Sequence, residues 1–376
     1  MPGFELIGKE EQVAVNKIFE DGGILFAHGF DAMRKNFHIR EFEKVTTDYF
    51  NCNHALAVSS GTAAIKVGLK ALGVKPGDEV ITQAFNFIAT VEAILDCGAI
   101  PIISNVDDTL NMDPSDCESL ITDKTKVILP VHMLGVPVDM NSIMTIANKH
   151  NLKVFEDNCE AVGAQYEGKY LGTIGDAGAF SYDFGKVITC GEGGMVVTND
   201  INIDKYAREY HDHGHENNPN FPRGKDSKSI FGFNYRMTEM QAAVGKVQMG
   251  RLDHILTENK LRYQAIIENI PSTIKTRKIP SGSSPIYDTF IFFTDSKKNK
   301  EKYITILNDE GFGTKNLPDA MEWHCTAFWG HALDKKQIEH SQKTKNMLEK
   351  AIAVPIWLRK EPREYVKLVK LLFQNE

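Results

Sequence analysis

From about residue 54 the chain alternates between two patterns of apolar and polar positions. Short apolar runs, "HALAVS" (54–59), "DEVITQ" (78–83), "IPIISNVD" (100–107), "KVILPVH" (126–132) and "LKVFEDN" (152–158), have strand length and carry many β-branched residues. Between them, "SGTAAIKVGLKALG" (60–73), "IATVEAILDCG" (88–98) and "MNSIMTIANKH" (140–150) repeat apolar residues at helical spacing, and Gly73 closes the first of these helices. "AGAFSYD" (177–183) and "GGMVVTND" (193–200) read as two further strands. Nearly continuous apolar strands alternating with helices predict a mostly parallel sheet covered on both faces. This unit reaches to about residue 245. The first fifty residues read as mostly helical and surface-laid, with "REFEKVTTDYF" (40–50) as a short amphipathic piece.

Beyond the sheet the pattern changes. Residues 240–270 read as one long helix, kinked near Gly250 and ended by Pro271. "KIPSGSSPIYDTF" (278–290) has the turn chemistry of a linker or hairpin. A strand at "DTFIFFTD" (288–295) and helices at "KEKYITILNDEG" (300–311) and "EYVKLVKLLFQNE" (364–376) then make a smaller lobe. The fold class is therefore α/β, with a large domain over 1–250 and a small α/β C-terminal domain over 251–376.

Composition narrows the function. The chain has 376 residues, 42% hydrophobic and 25% charged, with a net charge of −7. An acidic balance argues against nucleic acid as a partner. No apolar run approaches the roughly 18 residues of a membrane span. "MPGFELIGKEEQ" does not read as a signal peptide. Six cysteines without a C-x-x-C pair fit a reducing compartment better than a disulfide scaffold. The expected setting is cytoplasmic.

Four features fall at the ends of predicted strands, where open α/β sheets place their ligands. "SSGTAA" (59–64) stands at a strand-to-helix junction. Gly61 leaves room for a ligand, Thr62 offers an N–H and a hydroxyl, and the helix start favours a phosphate; a simple Ser60 cap explains the same stretch. Asp157 ends the strand in "VFEDN", where a carboxylate can hold a protonated ring nitrogen or act as a turn residue. Lys186 lies between a strand end and glycines 191, 193 and 194. Most lysines are solvated, but one with a pKa lowered by burial and nearby positive charge attacks carbonyls to form imines. The glycines would let backbone approach a planar group. Asn234 and Arg236 precede a helix that "TEMQ" caps. With the aromatic pair Phe85 and Phe87, these parts match what holding pyridoxal phosphate requires.

The runs "VSSGTAAIKVGLKALGVKPGDEVITQAFNFIAT", "FEDNCEAVGAQYEGKYLGTIGDAGAFSYDFGKVITCGEGGMVVTND" and "GFNYRMTEMQAAVG" resemble the DegT/DnrJ/EryC1/StrS sugar aminotransferases. The resemblance covers most of the chain and implies the fold type I (aspartate aminotransferase-like) architecture with pyridoxal 5'-phosphate as cofactor. It implies that Lys186 is the imine lysine and Asp157 the partner of the pyridine nitrogen. Gly61, Thr62 and Ser181 match phosphate contacts, and Phe87 matches the aromatic stacked on the ring. Asn234 matches a residue that reaches the neighbouring subunit's phosphate, which implies a homodimer with shared active sites. Glu160 departs from the family, whose members usually carry Gln or His near the ring hydroxyl. Relatives with histidine for the lysine are dehydratases, so Lys186 favours transamination.

The stretch "EYHDHGHENNPNFPRGKD" (209–226) is longer and more polar than in most relatives. It resembles family members that aminate the C8 aldehyde of an octulosonate with L-glutamate, so a sugar-acid aldehyde and glutamate are the expected partners. Arg223 and Lys225 suit carboxylates, and His213 and His215 suit sugar hydroxyls. The H-x-H-x-H spacing at 211, 213 and 215 fixes no metal set, and no metal is expected. A solvated loop without substrate contact is the plain alternative. Two other functions compete: amination of a nucleotide-linked keto-deoxy sugar, and a non-catalytic regulator that keeps the cofactor fold.

Overall fold

The computed structural model describes residues 2–218, 220–221 and 223–374. Five strands come first: β1 (His54–Val58), β2 (Glu79–Gln83), β3 (Ile100–Ser104), β4 (Thr125–Ile128) and β5 (Lys153–Asp157). A small hairpin, β6 (Gln165–Tyr166) and β7 (Lys169–Tyr170), precedes β8 (Ala177–Ser181) and β9 (Gly194–Thr198). The large sheet has the order β1-β9-β8-β5-β4-β2-β3. Strands β3, β2, β4, β5 and β8 run parallel, and β9 runs antiparallel to both of its neighbours. The exception has a simple cause. Residues 182–193 contain no helix, and a parallel return needs a crossover that this link does not supply.

Helices cover both faces. Gly61–Ala71, Ile88–Asp96 and Ile201–Tyr210 pack Val67, Ile94 and Ala207 into one core, while His38–Phe50, Met140–His150 and Glu239–Met249 pack Phe42, Ile143 and Met249 into the other. The segment read as surface-laid therefore contributes to the interior. Arg34, just ahead of the His38–Phe50 helix, is buried against Glu239 at 3.2 Å.

The helix expected over 240–270 divides at Gly250 into Glu239–Met249 and Leu252–Ile267. Arg251 at the break pairs with Glu10 at 2.7 Å and Glu11 at 2.8 Å. The second helix sends Ala265 and Ile266 into a separate core with Phe292, Tyr303 and Tyr365. That core surrounds a small antiparallel pair. The turn-rich stretch contains β10 (Ser283–Ser284), which joins the β6–β7 hairpin; β11 (Thr289–Phe293) then pairs with β12 (Ala351–Pro355), a strand not anticipated in the sequence. The segment between them returns to the large sheet. Trp329 and Leu333 pack on Ala84, Ile88 and Ile103. Gln337 donates to the Pro101 carbonyl at 2.7 Å and accepts from the Ile103 N–H at 3.0 Å, which covers the edge strand β3.

Candidate active site

The carboxyl ends of β1, β5 and β8 open into a cavity of about 390 Å³, closed on its far side by Asp288, Lys315, Asn316 and His324 of the C-terminal segment. Its floor begins at the Gly61–Ala71 helix. Ser60 caps this helix by accepting the Ala63 N–H at 3.1 Å, so the cap explanation holds. It does not compete with ligand binding, because the first N–H groups of a helix lack intrahelical acceptors and attract anions. Gly61 is required by packing: a Cβ there would sit 2.8 Å from the Ser181 Cβ. Gly194 likewise lets β9 pass the helix start, since its Cβ would lie 2.2 Å from the Ser60 carbonyl oxygen. At 193 and 194 the glycines thus serve contact between protein elements. Gly191 takes a left-handed φ of +86° with open space around it.

Asp157 is buried at the end of β5. Its carboxylate accepts the Thr90 hydroxyl at 2.7 Å and the Cys159 N–H at 3.1 Å. Behind it, Glu156 accepts three backbone N–H groups, from Gly172, Ile174 and Gly175, and faces the His132 Nε2 at 3.1 Å. These bonds fix the loops around the strand end. Lys186 follows a turn in which Asp183 accepts the Gly185 N–H at 2.9 Å. Its side chain is 19% exposed, and Nζ lies 3.7 Å from the Glu160 carboxylate. Burial alone lowers a lysine pKa, but Glu160, with Asp183 and Asp157 beyond, outweighs it and raises Lys186 above its ordinary value. The sequence-based expectation of a lowered pKa is corrected here, because the neighbours are anions. Burial likewise pushes Glu160 up, yet Lys186, His324, Lys315 and the Leu134 N–H hold it at about 2. The Leu134 N–H donates at 3.1 Å.

Phe87 lines the cavity and is 43% exposed, whereas Phe85 is fully buried in the core. Of the expected aromatic pair only Phe87 faces the site. It packs on His324 with ring centroids 5.4 Å apart. The His324 Nδ1 donates to the Ala320 carbonyl at 2.8 Å, which leaves Nε2 as the acceptor on the neutral ring; burial holds its pKa below the usual value. Lys315 pairs with Asp288 at 2.5 Å. Sequence reasoning missed Thr90, Asp288, Lys315, Asn316 and His324. The last four lie in the irregular C-terminal segment, where no strand-end rule applies.

The structure thus brings Gly61, Thr62, Phe87, Asp157, Glu160, Ser181 and Lys186 together, and leaves Asn234, His213, His215 and Lys225 outside the cavity of their own chain. Asn234 is exposed and accepts the Arg236 N–H at 3.3 Å. The three histidines diverge. His211 is buried with Nδ1 on the Arg208 carbonyl, and burial drops its pKa to about 3. His213 is exposed in a left-handed conformation, φ +55°. His215 turns toward Asp226, 3.7 Å away. Among the described residues no group of three His, Cys, Asp or Glu side chains is placed to hold a metal. Arg223 begins a short turn, Arg223–Lys225; its side chain lies outside the described residues.

The model of the DegT/DnrJ/EryC1/StrS aminotransferase family matches residues 27–372. The chain belongs to this family. The GDP-perosamine synthase of Caulobacter vibrioides is 44% identical over 221 residues, 58% of each chain and so less than two thirds of that relative's length. The GDP-perosamine synthase of Escherichia coli O157:H7 is 37% identical over 282 residues, 75% of this chain and 76% of the relative. Among solved structures, DesV of S. venezuelae, determined with a ketimine intermediate, superimposes with a TM-score of 0.84 at 26% identity over 97% of this chain and 94% of DesV.

The family's members are pyridoxal-phosphate-dependent sugar aminotransferases of fold type I. The residues present fit that cofactor. A helix N-terminus with Gly61, Thr62 and Ser181 around it suits the phosphate, the buried Asp157 suits a cationic ring nitrogen, and the Lys186 amine suits an aldehyde.

Proposed function

We propose that this chain moves an amino group from L-glutamate to the C8 aldehyde of 3,8-dideoxy-8-oxo-manno-octulosonate, forming 8-amino-3,8-dideoxy-manno-octulosonate, and that it works as a homodimer with shared sites. When bound, pyridoxal phosphate supplies an aldehyde that takes up amines and a ring that accepts electron density. Lys186 would hold that aldehyde, and its Nζ, when free, would be the base that moves the proton. Asp157, fixed by Thr90 and the Cys159 N–H, would keep the ring nitrogen protonated. Gly61, Thr62 and Ser181 would hold the phosphate, and Phe87 would pack on the ring. Glu160, 3.7 Å from Nζ, favours the charged form of Lys186 in the cofactor-free chain. Lys315, Asn316 and His324 offer the substrate a polar wall.

One observation supports the substrate assignment: the polar stretch that follows the Ile201–Tyr210 helix is fastened, at Asp212 and His213, to the segment of Asn234. Asp212 forms a bridge with Asn234, and the His213 N–H donates to the Phe233 carbonyl at 3.0 Å. If Asn234 meets the neighbouring subunit's phosphate, the loop travels with it to that subunit's substrate. Phe231 and Phe233, just ahead of Asn234, are 74% and 45% exposed, as a surface awaiting a second copy would be. His213, Arg223 and Lys225 then stand for contacts to hydroxyls and the sugar acid's carboxylate, while His215 serves the loop through Asp226.

A second reading is favoured by the relatives named GDP-perosamine synthase: amination of a nucleotide-linked keto sugar. Single-turnover half-reactions separate the two. The protein is first converted with glutamate, then offered either the octulosonate aldehyde or keto-sugar nucleotides. Faster return of the starting absorption with the octulosonate supports the first reading. Return only with a nucleotide sugar replaces it by the second.

A further inference from the structure

The residues ahead of the first long helix are packed against the lysine loop. The Gly3 N–H donates to the Lys186 carbonyl at 3.3 Å. The approach is so close that a Cβ on Gly3 would lie 2.8 Å from that oxygen and 3.0 Å from the Ile188 Cα. Phe4 stacks on Phe184, with centroids 4.9 Å apart and planes 19° from parallel, and meets Trp357 edge-on at 6.2 Å. Glu5 accepts the Leu358 N–H at 3.2 Å and the Arg359 N–H at 3.0 Å. Trp357 is itself anchored in the small lobe: its N–H donates to the Tyr365 hydroxyl at 2.7 Å and its ring N–H to the Phe312 carbonyl at 3.0 Å. Three consecutive residues therefore join the Lys186 backbone to the lobe that closes the cavity.

The loop has need of such a tie. Asp183–Lys186 is held locally by one turn, with the Lys186 N–H on the Asp183 carbonyl at 3.0 Å, and Phe184 is 55% exposed. Gly185 adds backbone freedom just before the lysine. A long side chain on a loosely held backbone spends part of its time away from reacting geometry, and small displacements there cost rate.

We propose that Gly3, Phe4 and Glu5 are positioning residues: a clasp that sets the Lys186 backbone and couples it to the small lobe. The chemical consequence rests on Lys186 being the imine lysine; the clasp itself does not. Gly3 supplies the close approach, Phe4 the lateral hold, and Glu5 the anchorage.

The test uses the full chain, cofactor-free and reconstituted, with Phe4→Ala, Gly3→Ala and Glu5→Gln. Hydrogen exchange of the peptide covering 184–188 in the cofactor-free protein rises about 2- to 10-fold in Phe4→Ala and Gly3→Ala, the factor an aromatic pair is worth. The rate of recombination with pyridoxal phosphate falls by a similar factor, and the pH at which the visible absorption titrates shifts. Glu5→Gln keeps a carbonyl acceptor and stays near wild type, while Glu5→Ala behaves like Phe4→Ala and replaces Gly3→Ala should that variant not fold. Unchanged exchange at 184–188 overturns the clasp. Faster exchange with unaltered recombination and titration reduces it to a structural contact and overturns the positioning role. Lys186→Ala serves as control: if it keeps the visible band, the lysine assignment fails and the exchange result still decides the clasp.

Discussion

Glu160 and Lys186 act on each other more than on solvent. A carboxyl buried beside an amine 3.7 Å away stays ionised because the amine, with Lys315 and His324, outweighs the cost of burial. The ordinary value of 4.5 falls to about 2 in the native chain. Between those values the unfolded chain takes up a proton that the folded chain refuses. The stabilising contribution is therefore complete above pH 4.5 and is lost as pH falls toward 2. Glu160→Gln removes this dependence, so urea midpoints measured at about pH 5 and about pH 3 should differ less in the variant than in wild type. The same substitution takes away the main anion that raises Lys186. The pH midpoint for combination of the cofactor-free protein with pyridoxal phosphate should then move down. Asp157→Asn keeps the Thr90 and Cys159 geometry available but loses the charge. We expect cofactor retention with turnover reduced about 10²–10³-fold, the usual cost of removing one preorganised electrostatic partner; undiminished turnover would remove Asp157 from its role.

At the scale of elements, the site depends on two close approaches of backbone. Strand β9 passes the start of the Gly61–Ala71 helix through Gly194, and β8 passes it at Gly61 through Ser181. Gly194→Ala pushes a methyl group into the Ser60 carbonyl, where no flexible side chain can yield. Destabilisation of about 1–3 kcal/mol in urea unfolding, with weakened cofactor binding, is the expected result. The elements themselves were largely legible. Strands β1 to β5 and the helices Gly61–Ala71, Ile88–Asp96 and Met140–His150 follow short apolar runs and helical spacing, which local sequence controls. A kink near Gly250 was expected but not the full division into two helices there, and strand β12 was not anticipated. Both are set by what the segments pack on: Arg251 against Glu10 and Glu11, and β12 against β11.

At the scale of the molecule, Asn234 and its exposed aromatic neighbours lie outside the lining of their own cavity. If Asn234 completes the neighbouring subunit's site, subunits lacking Lys186 and subunits lacking Asn234 complement each other. Mixed refolding of Lys186→Ala with Asn234→Ala should restore activity that neither variant has alone, because one site of each hybrid receives both intact residues. No recovery, in a mixture shown to contain hybrids, would place Asn234 in its own subunit's work or in none.

The sequence by itself determined the alternation of strands and helices, the helix start at Gly61, and the strand-end positions of Asp157 and Ser181, because these follow from local periodicity and from side chains acting on their own backbone. Only the tertiary structure decided that Lys186 faces an anion and that Asp288, Lys315, Asn316 and His324 close the cavity. Charge environment and distant packing depend on which segments meet in space, and no local pattern encodes that.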